Sequence, residues 1–206
     1  MAGFIVFEGL DGTGKSTKLD LAAKLLYENG KSVHCTAEPT DSPVGRLLRS
    51  ALAGGFVLPP AAAAALFTAD RIDHCAKEGT GIRDRLSRGE YVLSSRYYYS
   101  TLAYQGMDCP LETILPIAVN PAVIKPDLCI FLDAPASVCA ERIARRAEET
   151  GQTVEIFEKE SVLERVRESF YRVFEVLGEE NIVIVNTDCP PEEANARVAE
   201  AILGVL

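Results

Sequence analysis

The stretch "GFIVFEGLDGTGKS", residues 3–16, constrains this chain more than any other. Its first half, "GFIVFE" (3–8), is a short, nearly continuous apolar run that stops at a glycine. Such a run predicts a parallel strand buried on both faces. The second half has the spacing Gly-x-x-x-x-Gly-Lys-Ser, with Gly9, Gly12 and Gly14 permitting a tight turn and close backbone approach. After Lys15, the residues Leu19, Ala22, Ala23 and Leu26 recur at helical spacing, and "ENG" closes the helix at Gly30. A strand that turns through glycines into a helix points backbone N–H groups and the helix N-terminus at an anion.

In that setting Gly9, Gly12, Thr13, Gly14, Lys15, Ser16 and Thr17 are expected to cradle a nucleoside triphosphate. Lys15 pairs with the β- and γ-phosphates in this motif, and Ser16 holds Mg²⁺. Glu8 and Asp133, each at the carboxyl end of a predicted strand, are alternative further metal ligands.

The rest of the chain alternates strand and helix. "SVHCTA" reads as a second strand, followed by helices over roughly 44–53, from Pro59-Pro60 to about Lys77, and over about 81–88. "YVLS" (91–94) is a third strand, and 97–119 reads as helix, loop and helix, with Pro110 and Pro116 as breakers or first-turn residues. "DLCIFLD" (127–133) is a fourth buried strand, and "APASVCAERIARRAEE" an amphipathic helix that "TGQTVE" interrupts. A long helix places Phe157, Val162, Val166, Phe170, Val173 and Leu177 on one face; "NIVIVNT" and a final helix follow. The expected class is α/β: a P-loop NTPase fold, a five-stranded parallel sheet with helices on both faces and a helical lid. No linker or repeat divides the chain, so residues 1–206 are read as one domain.

The formal net charge of −9 argues against a nucleic-acid partner, which a basic face would serve. No apolar run approaches the ~20 residues of a membrane span, and the N-terminus shows no basic start or cleavage site of a signal peptide. The six cysteines are scattered without a Cys-x-x-Cys pair and read as reduced apolar fillers, so a cytoplasmic location is expected. No guanine-reading Asn-Lys-x-Asp segment is present, and the chain is short for a motor or transporter ATPase. A small kinase remains. It needs an acceptor site, arginines that bridge the moving phosphoryl group, and a lid that excludes water.

In "LFTADRIDH", Phe67 and Arg71 stand four apart on a predicted helix and share a face, as an aromatic plane and a guanidinium fork suited to a base. Arg49 and Arg96 together could clamp an acceptor phosphate. The unusual run "SSRYYYSTLAYQG" (94–106), with four tyrosines just past a strand, reads as a ligand-holding surface.

With "FEGLDGTGKST", "LFTADR", "SRYYYSTLAYQG" and "PDLCIFLDAP" in order, the chain resembles the thymidylate kinases. The resemblance implies phosphorylation of dTMP by ATP. It places Phe67 on thymine, Arg71 on the carbonyl edge, and Thr101 and Gln105 on the base. Arg49 and Arg96 fall on the dTMP phosphate, Tyr104 on the deoxyribose and Asp11 near the 3′-hydroxyl. Thr13 leaves the loop without an arginine, so a lid over about 142–158 is expected to supply it, with Arg145 and Arg146 preferred over Arg142. A homodimer is also implied. One departure stands out: Ser95 precedes Arg96 where the family pattern has aspartate. It leaves open a nucleotide-binding pseudoenzyme, or a sibling kinase for another nucleoside or nucleoside monophosphate.

Overall fold

The computed structural model describes residues 2–151 and 159–206. Residues 152–158 of the expected lid, Phe157 among them, lie outside the described residues. The chain begins with β1 (Phe4–Gly9), α1 (Lys15–Glu28) and β2 (Val33–Ala37). Three helices follow, α2 (Pro43–Leu52), α3 (Pro60–Ala76) and α4 (Ile82–Ser87), before β3 (Tyr91–Ser95). Next come α5 (Tyr98–Gln105), α6 (Leu111–Ala118) and β4 (Leu128–Asp133). The chain then runs through α7 (Ala136–Thr150), α8 (Glu160–Val176), β5 (Ile182–Asn186) and α9 (Pro191–Leu203).

All strand pairs are parallel, in the order β2-β3-β1-β4-β5. β1 sits at the centre because residues 4–7 are apolar on both sides, and all six of its residues are buried. Successive side chains of a strand point to opposite faces. Accordingly Phe4 and Val6 join a core with α3, α5, α6, α7 and α8, while Ile5 and Phe7 join a second core with α1 and α9. Helices therefore cover both faces, as the alternation of elements predicts. Register pairs Phe7 with Ser95 and Gly9 with Leu132, so β1, β3 and β4 end at one level. Ligands of open parallel sheets bind at this carboxyl edge, where strand order reverses.

Two local expectations change. Pro116 lies inside α6 rather than at a first turn. The tyrosine run is also not a ligand surface as a whole: Tyr97, Tyr98 and Tyr99 are at most 1% exposed. Tyr97 packs edge-on against Phe4 with ring centroids 5.0 Å apart, and its hydroxyl donates to the Ile124 carbonyl. Tyr98 and Tyr99 both donate to the Glu180 carboxylate. A phenol can be buried in this way when its hydroxyl finds an acceptor. Among the described residues no helix is long and apolar enough to cross a membrane, and all six cysteines are free thiols.

Candidate active site

The loop between β1 and α1 takes the shape its glycines allow. Gly14 has φ 85° and caps α1 with no side-chain hydrogen bond, leaving the first-turn N–H groups without a side-chain acceptor. Gly12 has φ 86°, and a Cβ there would stand 2.6 Å from the Cys139 carbonyl oxygen, so only glycine lets α7 sit on the loop. Lys15 folds over the loop, with Nζ donating to the carbonyls of Gly9 (3.1 Å) and Leu10 (2.7 Å) and to Asp11 Oδ1 (3.3 Å). Burial and the nearby Arg96 charge bring Lys15 down to about 8, against the pull of Asp11.

Arg96 follows β3 directly and is the one non-glycine residue with positive φ (69°) among the described residues. Such strain persists only when neighbours hold it. Here the Arg96 N–H donates to the Phe7 carbonyl, and the Ser94 hydroxyl donates to the Arg96 carbonyl. The side chain then reaches across the loop. Nη2 donates to Asp11 Oδ1 (2.8 Å), Nη1 donates to Ser100 Oγ (3.0 Å), and the guanidinium lies 5.3 Å over the Tyr104 ring. Burial opposes the charge of Arg96, yet Asp11, Tyr104 and Glu8 hold it above the ordinary arginine value. Burial likewise pushes Asp11 up, but the Arg96 and Lys15 charges outweigh it and keep the carboxyl below its usual range. Asp11 thus ties the phosphate loop to the end of β3.

Beside Arg96 opens a recess of about 290 Å³. Asp11, Phe67, Arg71, Arg96, Thr101, Tyr104 and Gln105 line it, which is the whole expected acceptor set except Arg49. Arg71 is 1% exposed. Its Nε donates to Glu38 Oε2 (2.8 Å) and its Nη2 to Thr101 Oγ1 (3.0 Å), and the guanidinium lies 4.9 Å over the Tyr97 ring. Its Nη1 and the Oε1 of Gln105 are buried with no hydrogen-bond partner. Orphaned buried polar atoms are rare, and a ligand is one natural explanation.

Arg49 lies in a neighbouring recess, donating to Asp41 and to the carbonyls of Pro39 and Thr40. Of the lid arginines, Arg146 lines the acceptor recess and Arg145 does not. Arg142 instead reaches the phosphate loop, donating to the carbonyls of Gly12 (3.4 Å) and Thr187 (2.8 Å). Glu38 was missed in the sequence, where "EPTDSP" reads only as the end of a strand; an acid at the carboxyl end of a parallel strand was the available signal. Ser100, four residues beyond Arg96, is a second such residue.

Ser16 is exposed at the first turn of α1, placed to share a Mg²⁺ with phosphate oxygens. The other two proposed donors are engaged. Glu8 Oε1 accepts the N–H groups of Tyr97 and Ser100, and Oε2 accepts the Ser100 hydroxyl. Both Asp133 oxygens accept from Arg167, and one also from Tyr171. Among the described residues no cluster of three or more His, Cys, Asp or Glu residues could hold a metal. The donor set fits a Mg²⁺ that arrives with the nucleotide and keeps most of its ligands there.

A glycine loop feeding a helix N-terminus, joined by a Lys–Asp–Arg bridge to a recess with unmet donors and acceptors, defines a P-loop kinase with separate donor and acceptor sites. A profile described as thymidylate kinase matches residues 7–198. A probable thymidylate kinase of Pyrobaculum aerophilum is 38% identical over 98% of this chain and 97% of its own length. One of Thermococcus kodakarensis is 37% identical over 87% of this chain and 88% of its own. A thymidylate kinase of Rhodopseudomonas palustris is 37% identical over 97% of this chain and 87% of its own. The chain belongs to the thymidylate kinase family.

Proposed function

We propose that the protein transfers the γ-phosphoryl group of ATP to dTMP, giving dTDP and ADP. The observation that carries this is the orphaned Arg71 Nη1 in the acceptor recess, beside Phe67 and the orphaned Gln105 Oε1. A pyrimidine carrying a carbonyl oxygen and a ring N–H answers both, while Phe67 supplies a stacking plane. Thr101 completes the base contacts, Tyr104 packs on the deoxyribose and Asp11 approaches the 3′-hydroxyl. Arg96 holds the acceptor phosphate; Arg49 joins it only by leaving Asp41. On the donor side Lys15 and the loop N–H groups bind the polyphosphate.

No general base is needed. The second pKa of a phosphate monoester is about 6, so the attacking oxygen is already ionised near neutral pH. Transfer then depends on position and on charge, supplied by Lys15 and Arg96. Arg146, at the recess rim, is the preferred lid arginine, with Arg145 as the alternative. Mg²⁺, when bound through Ser16 and the phosphates, adds charge neutralisation. Residues 1–206 act as one kinase domain with its lid over about 142–158. On the family resemblance we expect a cytoplasmic homodimer, to be tested by sedimentation of the purified protein.

The experiment is a coupled ADP-release assay across dTMP, dUMP, UMP, CMP, AMP and thymidine. dTMP is expected to give the highest kcat/KM. A higher value with another acceptor would make this a sibling kinase. Binding of ATP and dTMP without dTDP at any Mg²⁺ concentration would leave a nucleotide-binding protein without turnover.

A further inference from the structure

Arg71 does not hold its posture alone. Its Nε meets only one oxygen of Glu38, Oε2. The other oxygen, Oε1, is 3.0 Å from His74 Nδ1, and His74 Nε2 is 2.9 Å from Thr36 Oγ1. A carboxylate paired with arginine only accepts, so Nδ1 is the donor to Glu38 whichever protonation state the ring adopts. In the neutral ring Nε2 then accepts the Thr36 hydroxyl. Glu38 and Arg71 are 3% and 1% exposed in their side chains and His74 10%, so the chain Thr36–His74–Glu38–Arg71–Thr101 runs inward from the edge strand β2 to the acceptor recess.

This arrangement has a specific consequence. Arginine and a carboxylate prefer a two-pronged fork, with two N–H groups on two oxygens. His74 binds the second oxygen, so Glu38 is held between the ring and the guanidinium and meets Arg71 through Nε alone. Nε is spent on Oε2 and Nη2 on Thr101, which leaves Nη1 unpartnered at the recess. With Oε1 released, Glu38 swings to take Nη2 beside Nε, Nη2 leaves Thr101, and the guanidinium, Nη1 included, turns in the recess. We propose that His74 is a positioning residue for the acceptor: by holding Glu38 Oε1 it fixes the orientation in which the Arg71 guanidinium presents Nη1 to the base. The proposal rests on the reading of the recess as the dTMP base site.

Two near-isosteric substitutions separate the two ring nitrogens. In His74→Asn the side-chain amide nitrogen falls near Nδ1 and keeps the donor to Glu38. In His74→Gln it falls near Nε2, which keeps the Thr36 side and loses Glu38. Steady-state kinetics of the full chain are expected to show the dTMP KM about 10-fold higher in His74→Gln, the scale of a lost hydrogen bond to a charged group. The ATP KM and the kcat at saturating dTMP are expected to hold, and His74→Asn to keep most of the dTMP affinity. Equal dTMP KM values in the two variants would overturn the proposal, as would a parallel rise in both substrates' KM. Arg71→Ala in the same assay separates the two ideas. If it leaves the dTMP KM unchanged, the base-site reading fails; if it raises that KM while the His74 pair behave alike, only the relay fails.

Discussion

Lys15 titrates near 8 because burial and Arg96 both oppose its charge before a nucleotide arrives. Phosphates favour the charged form, so binding raises the Lys15 value, and above it the lysine must take up a proton to bind. ATP affinity is therefore expected to hold below pH 8 and to fall as pH rises beyond it, with proton uptake visible by calorimetry in buffers of different ionisation enthalpy. Lys15→Ala should abolish transfer while leaving the folded circular-dichroism spectrum intact, since the charge it meets develops between the β- and γ-phosphates. In the proposed base site Arg71 meets carbonyls that dTMP and dUMP share, so Arg71→Ala should raise KM for both. The intact enzyme should prefer dTMP only moderately, by about 10- to 200-fold, because one methyl group separates them. Ser95 places a hydroxyl where the family pattern has a carboxylate, and Glu8 and Asp133 are already engaged. A raised Mg²⁺ requirement is expected in steady-state assays, and a lower one in Ser95→Asp.

At the scale of elements, α5 supplies Ser100, Thr101, Tyr104 and Gln105 to the recess, and Glu8 seats the helix. α5 has no side-chain N-cap of its own. The Glu8 carboxylate, from the central strand, takes the Tyr97 and Ser100 N–H groups instead. Burial pushes the Glu8 carboxyl up, against Arg96 and these bonds, which pull it down. Glu8→Ala would leave two buried N–H groups without an acceptor and is expected to cost about 2 kcal/mol or more, read by denaturant unfolding. Glu8→Gln keeps one acceptor oxygen and should retain most of that stability. The helices and strands themselves were legible from spacing, because an apolar face repeats with the period of its element. Whether Tyr98 and Tyr99 face solvent or core was not, since it turned on Glu180, some eighty residues away in the chain.

Across the whole molecule, Asp133 links the carboxyl end of β4 to α8 through Arg167 and Tyr171. Burial pushes the Asp133 carboxyl up, and its bonds with Arg167 and Tyr171 more than offset this, holding it below the usual range. A carboxyl depressed in the fold contributes stability that is fully present above its unfolded value and is lost as pH falls through the folded one. Asp133→Asn should therefore lower Tm at neutral pH and flatten its fall in acid, as seen by scanning calorimetry from pH 7 to 3. The phosphate loop, the strands and helices themselves and the placing of Phe67 and Arg71 on one face of a helix could all be read in the chain, because each depends on residues within one element or one loop. The reach of Arg96 to Asp11 could not, nor could the hold of Glu38 on Arg71 and His74, or the capture of Asp133 by Arg167. These partners lie on different elements, and which of them meet depends on strand order, register and helix placement. A local pattern carries the period of an element; it carries nothing of which charge stands across from it.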